Sequence, residues 1–173
     1  MTHGLSGGRI VIRLAAEGDS DAVARFQCST GAWYEEDVES FVRLRALAQA
    51  LAMPEHYRLL LAFDGDRLVC CMAHHLEMLI SQGGKSTIAA RLQLFAIAVE
   101  DQGCRLADGT RLSDLVMATF MSDAMETRAT GVITAIVALD NLRSIALCKR
   151  HGMRSQVRYD ARHARLSGHF TPR

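Results

Sequence analysis

Several absences narrow the reading before any motif does. No apolar run approaches the roughly 18 residues that a membrane span needs, and no arginine-led apolar segment opens the chain, so neither insertion nor secretion is expected. There is no CxxC pair; five cysteines, an odd number, fit a reducing cytoplasm better than a disulfide framework. Internal repeats and low-complexity linkers are missing as well. Nor is there an excess of one charge: a formal net charge of +1 gives no general case for nucleic acid. What remains is 173 residues with 49% hydrophobic and 23% charged content, enough to bury one sizeable core in a single domain, 1–173.

The charge is unevenly placed. From Lys149 onward there are seven basic residues and one acid, Asp160, a net of +6, so the preceding 148 residues carry −5. Arg158, Arg162 and Arg165 can guard a solvated sheet edge, or the patch can meet an anionic ligand or partner.

Elements alternate along the chain. "GRIVIRLA" reads as a strand and "EGDSDAVARF" as a short helix opened by Asp19 or Ser20. "EEDVESFVRLRALAQALAM" carries Val38, Phe41, Val42, Ala46 and Leu51 near helical period, with Pro54 marking its end. "YRLLLAFDGDRLVCCMAHHLEML" is two apolar strands about an Asp64-Gly65 turn, and "SQGGKST" a loop. "ARLQLFAIAV" and "VITAIVAL" read as strands buried on both faces. Each leads to a helix, "RLSDLVMATFMSDAMETR" and "LRSIALCKRH", and "RSQVRYDARHARLSGHF" supplies one or two half-exposed strands. The order β α α β β β α β α β β predicts an α/β layer with helix N-termini at the strands' carboxyl ends, where unsatisfied N–H groups and the helix dipole attract anions.

Two tempting motifs lead elsewhere. In "CCMAHH", strand alternation puts Cys70 and His74 on one face and Cys71 and His75 on the other, so the four do not converge on a metal, and none is expected. "GGKST" lacks the glycine spacing of a nucleotide-hydrolysing phosphate loop.

The element order, the "QG…G-x-R-L-S" turn before the long helix, and the run N-x-x-S-x-x-L-C-x-R-x-G-M together resemble the GNAT superfamily of acetyl-CoA-dependent N-acetyltransferases, over roughly Ile10 to Arg165. Asn141, Ser144, Leu147, Arg150, Gly152 and Met153 fall in register with the family's N-x-x-A-x-x-L-Y-x-K-x-G-F helix, and Cys148 takes the place of the usual Tyr. The resemblance implies a mixed central sheet of about six to seven strands flanked by four helices. It implies acetyl transfer from acetyl-CoA to a primary amine, on a small molecule or a peptide, by direct attack. A coenzyme-A-binding regulatory module, weak in catalysis because the Tyr is missing, is an alternative, and so is an acetyltransferase for protein or charged tRNA docking on the basic end. The C-terminal strands of this fold often pair between subunits, so a homodimer is open.

The resemblance also implies site residues. Asn141, with Ser144 beside it, faces the coenzyme's pantetheine or phosphate arm; the plain alternative for Asn141 is a helix N-cap. The family's phosphate loop, Q/R-x-x-G-x-G/A, matches less well: Gln102-Gly103 is followed by "CRLAD" and then Gly109, Thr110, Arg111, Leu112 and Ser113, as a turn carrying a short insertion and lacking one glycine. Backbone N–H groups of Ile97, Ala98 and Val99 would polarise the thioester. Glu100 would relay the amine's proton through water, with Asp101 as runner-up, or else it merely helps a turn. Cys148 would stand in for the Tyr acid, or Tyr34, Tyr159 or water would. Trp33, Tyr34 and Glu35, with Glu36, would form an aromatic and acidic acceptor wall, or Trp33 would pack as a staple at a helix start.

Overall fold

The computed structural model describes residues 10–80, 83–128 and 131–171. Gly8 and Arg9 of the expected first strand, and Ser81 and Gln82 of the expected loop, lie outside the described residues. Seven strands hydrogen-bond in the order β1-β2-β3-β4-β5-β7-β6, a mixed sheet accompanied by helices in the expected sequence. The chain forms two compact units, Met1–Ala73 with Leu94–Met117, and His74–Gln93 with Ala118–Arg173.

In the first unit, β1 (Val11–Leu14) runs antiparallel to β2 (Tyr57–Asp64), from Val11↔Phe63 to Leu14↔Leu60. Gly65, at φ 61°, turns β2 into β3 (Arg67–Ile80), a backbone region costly for any residue with a Cβ. The short helix α1 (Ser20–Ala24) is entered through Asp19, whose carboxylate does not cap the helix. It reaches back to Arg13 at 2.6 and 2.8 Å and to the Ala16 amide at 2.8 Å. Residues 33–52 are helical throughout: α2 (Trp33–Phe41), one wide π turn (Val42–Ala46) and α3 (Leu47–Ala52). Val42, Ala46 and Ala50 bury that helix against Leu59, Leu61, Cys71, Leu94 and Ala96, an apolar face at helical spacing meeting strand residues at spacing two.

The second unit holds most of β4 (Ser86–Ile97), together with β5 (Val132–Ala138), β6 (Ser155–Arg158) and β7 (His163–His169). β5 is parallel to β4 at Ala90↔Ile133, Arg91↔Thr134 and Leu92↔Ala135, and antiparallel to β7 over all seven of its residues. β6 then adds to the outer side of β7. The long helix α4 (Leu112–Arg128) places Phe120 and Asp123 over β3, where His74, fully buried, meets Asp123 through Nε2 at 2.7 Å and the Phe120 ring edge-on at 5.4 Å. The final helix is α5 (Leu142–Arg150), which buries Ile145, Leu147 and Cys148.

Phe170 closes this unit. Its amide donates to the Gly131 carbonyl at 2.6 Å, and its ring lies where a Cβ on Gly168 would sit, 2.6 Å away, and within 3.1 Å of the corresponding point on Gly152. Among the described residues, no helix is long and apolar enough to cross a membrane.

Candidate functional site

The end of β4 is built differently from a simple strand. β4 stops at Ile97, and Val99–Asp101 form a single tight helical turn because the Ala98 amide donates to Val69 O at 2.9 Å and the Val99 amide to Gln27 O at 3.0 Å. Two of the three amides expected to polarise a thioester are thus already engaged within the first unit. Glu100, expected from sequence to relay the amine's proton or to help a turn, sits on that turn with its side chain 60% exposed and 4.0 Å from Arg67. Its neighbour Asp101 is buried and gripped by both arms of Arg67, at 2.5 and 2.9 Å. This fork raises the Arg67 pKa above its ordinary value and occupies the Asp101 oxygens, which leaves Glu100 as the carboxylate here with access to water.

The insertion that follows closes on itself. Gly103 and Gly109 take φ of 82° and 85°; Leu106 N–H donates to Thr110 O at 2.8 Å, Gly109 N–H to Leu106 O at 2.9 Å, and Leu112 N–H to Cys104 O at 3.1 Å. Thr110 N–H goes to the Asp108 carboxylate at 2.8 Å, which holds that carboxyl below its ordinary pKa. Three of the five expected phosphate-loop amides therefore serve the loop itself. The other two, on Arg111 and Ser113, have no hydrogen-bond partner among the described residues, and they open the 17-residue α4. Unmet first-turn amides at the positive end of a long helix suit a phosphate, so the residues present fit the anionic arm of coenzyme A there, on a smaller set of donors than the sequence suggested.

In the second unit Asn141 is the N-cap of α5: its Oδ1 accepts from Ser144 N–H at 3.0 Å. The cap and ligand roles are compatible, since the side-chain NH2 stays available to an acceptor. Cys148 lies one turn beyond Ser144, 2% exposed, its thiol pushed up to about 11 by burial. A thiol so placed is protonated at neutral pH and a reluctant proton donor.

At the start of α2, Trp33 and Tyr34 stack edge to face with centroids 5.6 Å apart. Glu35 accepts from the Thr30 amide at 2.7 Å and the Thr30 hydroxyl at 2.6 Å. Glu39, unremarked in the sequence, takes the Cys28 and Ser29 amides on one oxygen at 2.7 and 2.9 Å, and those two bonds, Ser29's foremost, hold its carboxyl below its ordinary pKa. Two carboxylates thus set the loop that leads into the aromatic pair.

Sequence reasoning also missed a charged group on the sheet of the second unit. Glu77 on β3 accepts a short hydrogen bond from the Thr134 hydroxyl on β5, and its other oxygen lies 3.7 Å from Arg91 on β4 and 3.5 Å from Arg165 on β7. Charged residues inside otherwise apolar strands are the signal that could have pointed to it. Among the described residues, no group of three metal-ligating side chains converges.

No protein-family model matches this chain, and no curated protein matches it in sequence. Its fold does recur in solved structures. The PaiA N-acetyltransferase from Thermoplasma acidophilum, in complex with coenzyme A, is 15% identical at a TM-score of 0.65, over 94% of this chain and 99% of that one. Spermidine N-acetyltransferase from Vibrio cholerae, with CoA and spermine, is 17% identical at 0.63, over 94% and 96%. The GNAT domain of S. lividans PAT is 18% identical at 0.62, over 96% and 93%. The fold of this chain is that of the GNAT acetyltransferases, as the sequence resemblance implied.

Proposed function

We propose that the protein is an N-acetyltransferase that moves an acetyl group from acetyl-CoA to a primary amine. The observation that carries this reading is the pair of unmet amides on Arg111 and Ser113 at the start of α4, on a fold shared with enzymes solved with coenzyme A. Acetyl-CoA supplies an activated thioester. The amine nitrogen attacks its carbonyl carbon, the C–N bond forms as the C–S bond breaks, the amine's surplus proton leaves, and the departing sulfur takes one up.

This chain's own part is to bind and to move protons. Arg111 and Ser113 amides hold phosphate, the Asn141 NH2 holds a carbonyl or phosphate oxygen, and Glu100 takes the amine's proton through water from its exposed position. With a thiol near 11, Cys148 leaves reprotonation of the sulfur to solvent or a tyrosine. That same thiol favours a second reading, a coenzyme-A-binding module with weak turnover. Five cysteines outside any disulfide suit a reducing cytoplasm for either.

Calorimetry with acetyl-CoA, then thiol release against a panel of amines, tests both. Binding with turnover supports the enzyme, binding without turnover the module, and absence of binding removes both.

A further inference from the structure

The group around Glu77 is short of negative charge. Arg91 and Arg165 are the cations and Glu77 the single anion, so the three carry a net +1. Side chains are 27% and 29% exposed for the arginines and 12% for Glu77. Contacts of 3.5 and 3.7 Å are ion pairs too long for hydrogen bonds, and both fall on the same carboxylate oxygen. Among the described residues neither guanidinium makes any hydrogen bond, and the Nε–H of each is buried without a partner. The Tyr159 ring, 5.1 Å from the Arg165 guanidinium carbon, flanks it on one side.

Half-buried guanidiniums ordinarily have their forked donors matched, because desolvating a charge without compensation is costly. Here a fork from β4 and a fork from β7 stand over β5 with one excess positive charge. A single planar monoanion answers both shortages, and a carboxylate is the group whose geometry fits an arginine fork. The place suits a substrate as well. Arg165 pairs with Ile136, two residues before Ala138, so the group lies roughly 7 Å back along β5 from the strand end that leads to Asn141.

Building on the acetyltransferase reading, we infer that Arg91 and Arg165 bind the carboxylate of the acceptor, so that the acceptor is an amino acid or another amine bearing a carboxylate rather than a polyamine. The net positive charge favours the acidic end of such a molecule and opposes a polycation.

Calorimetric titration in the presence of coenzyme A, which supports binding without reaction, tests this with matched pairs that differ only by the carboxylate: lysine and cadaverine, histidine and histamine, tyrosine and tyramine. At least one carboxylate-bearing member should bind about tenfold or more tightly than its partner, and Arg165→Gln or Arg91→Gln should erase that preference, the scale of a lost hydrogen bond to a charged group. Arg165→Lys, which keeps the charge and loses the fork, should lie between, and covers the case in which the Gln variant does not fold. Equal or absent binding within every pair, tighter binding of spermidine or of O-phosphoethanolamine, or an unchanged preference in the folded variants would each overturn the assignment. Failure of the acetyltransferase reading shows separately, as absence of thiol release with acetyl-CoA, and leaves the binding comparison intact.

Discussion

The Oδ1 of Asn141 accepts from the Ser144 amide at 3.0 Å, so its oxygen belongs to the helix, while its NH2 is the group proposed to meet the coenzyme. Two substitutions separate them. Asn141→Ala should lower stability by about 1 kcal/mol, the scale of a lost N-cap, and weaken acetyl-CoA binding. Asn141→Asp should keep the cap and the melting temperature while still weakening acetyl-CoA, because it exchanges a donor for a negative charge. Unchanged affinity in the Asp variant, read by calorimetry, would reduce Asn141 to a cap.

Glu100 and Asp101 are adjacent, and their variants should fail in different ways. Glu100→Gln should slow turnover by roughly 10²-fold with little change in acetyl-CoA affinity, within the range for a lost general base. Asp101→Asn should instead cost about 1–3 kcal/mol of stability, since it breaks the fork with Arg67. Steady-state kinetics and thermal melts on the same two proteins make the comparison, and a Glu100→Gln enzyme at full rate hands the proton to solvent.

Cys148 is expected to be replaceable. With 2% exposure and a thiol at about 11, it packs as a small apolar group, so Cys148→Ala should keep most activity and lose stability modestly through the small cavity. Cys148→Tyr either adds a proton donor and raises the rate or overfills the space and destabilises the helix. A fall of about 10²-fold in the Ala variant at constant acetyl-CoA affinity would assign the acid role to the thiol.

Glu39 gives the loop before α2 a pH dependence. Its carboxyl is held below the ordinary value, so the folded form binds the proton less readily than the unfolded chain. The contribution is complete at neutral pH and disappears as pH falls below about 4.5 and through the depressed folded value. Glu39→Gln should therefore melt lower than the parent at pH 7, with the gap narrowing in acid. A gap of constant size from pH 7 to pH 3 would remove this account.

The order of elements was legible because each carries a local signature: apolar runs of strand length, helical spacing of Val38, Val42 and Ala46, and an Asp-Gly turn. The site was legible only where its chemistry is local as well. Asn141 caps its own helix, three residues from its partner, and could be read directly. Val99, by contrast, leaves the strand because its amide pairs with Gln27, and Glu35 and Glu39 are drawn into the Cys28–Thr30 loop; none of these pairings has a sequence signature. Glu77, Arg91, Thr134 and Arg165 come from four strands spread over 89 positions of chain, so only the sheet's register brings them together.

Phe170 and the three glycines it meets depend on one another. Gly131 accepts its amide, Gly152 approaches its ring, and Gly168 leaves room for it, with the Gly152 carbonyl only 2.7 Å from the place a side chain on Gly168 would take. No one of these four can drift alone: a side chain at 168 displaces the ring, and loss of the ring leaves a hollow that the glycines cannot fill. In descendants of this chain the four positions should be inherited as a block, changing together or staying as they are, while the exposed faces of β6 and α5 around them diversify.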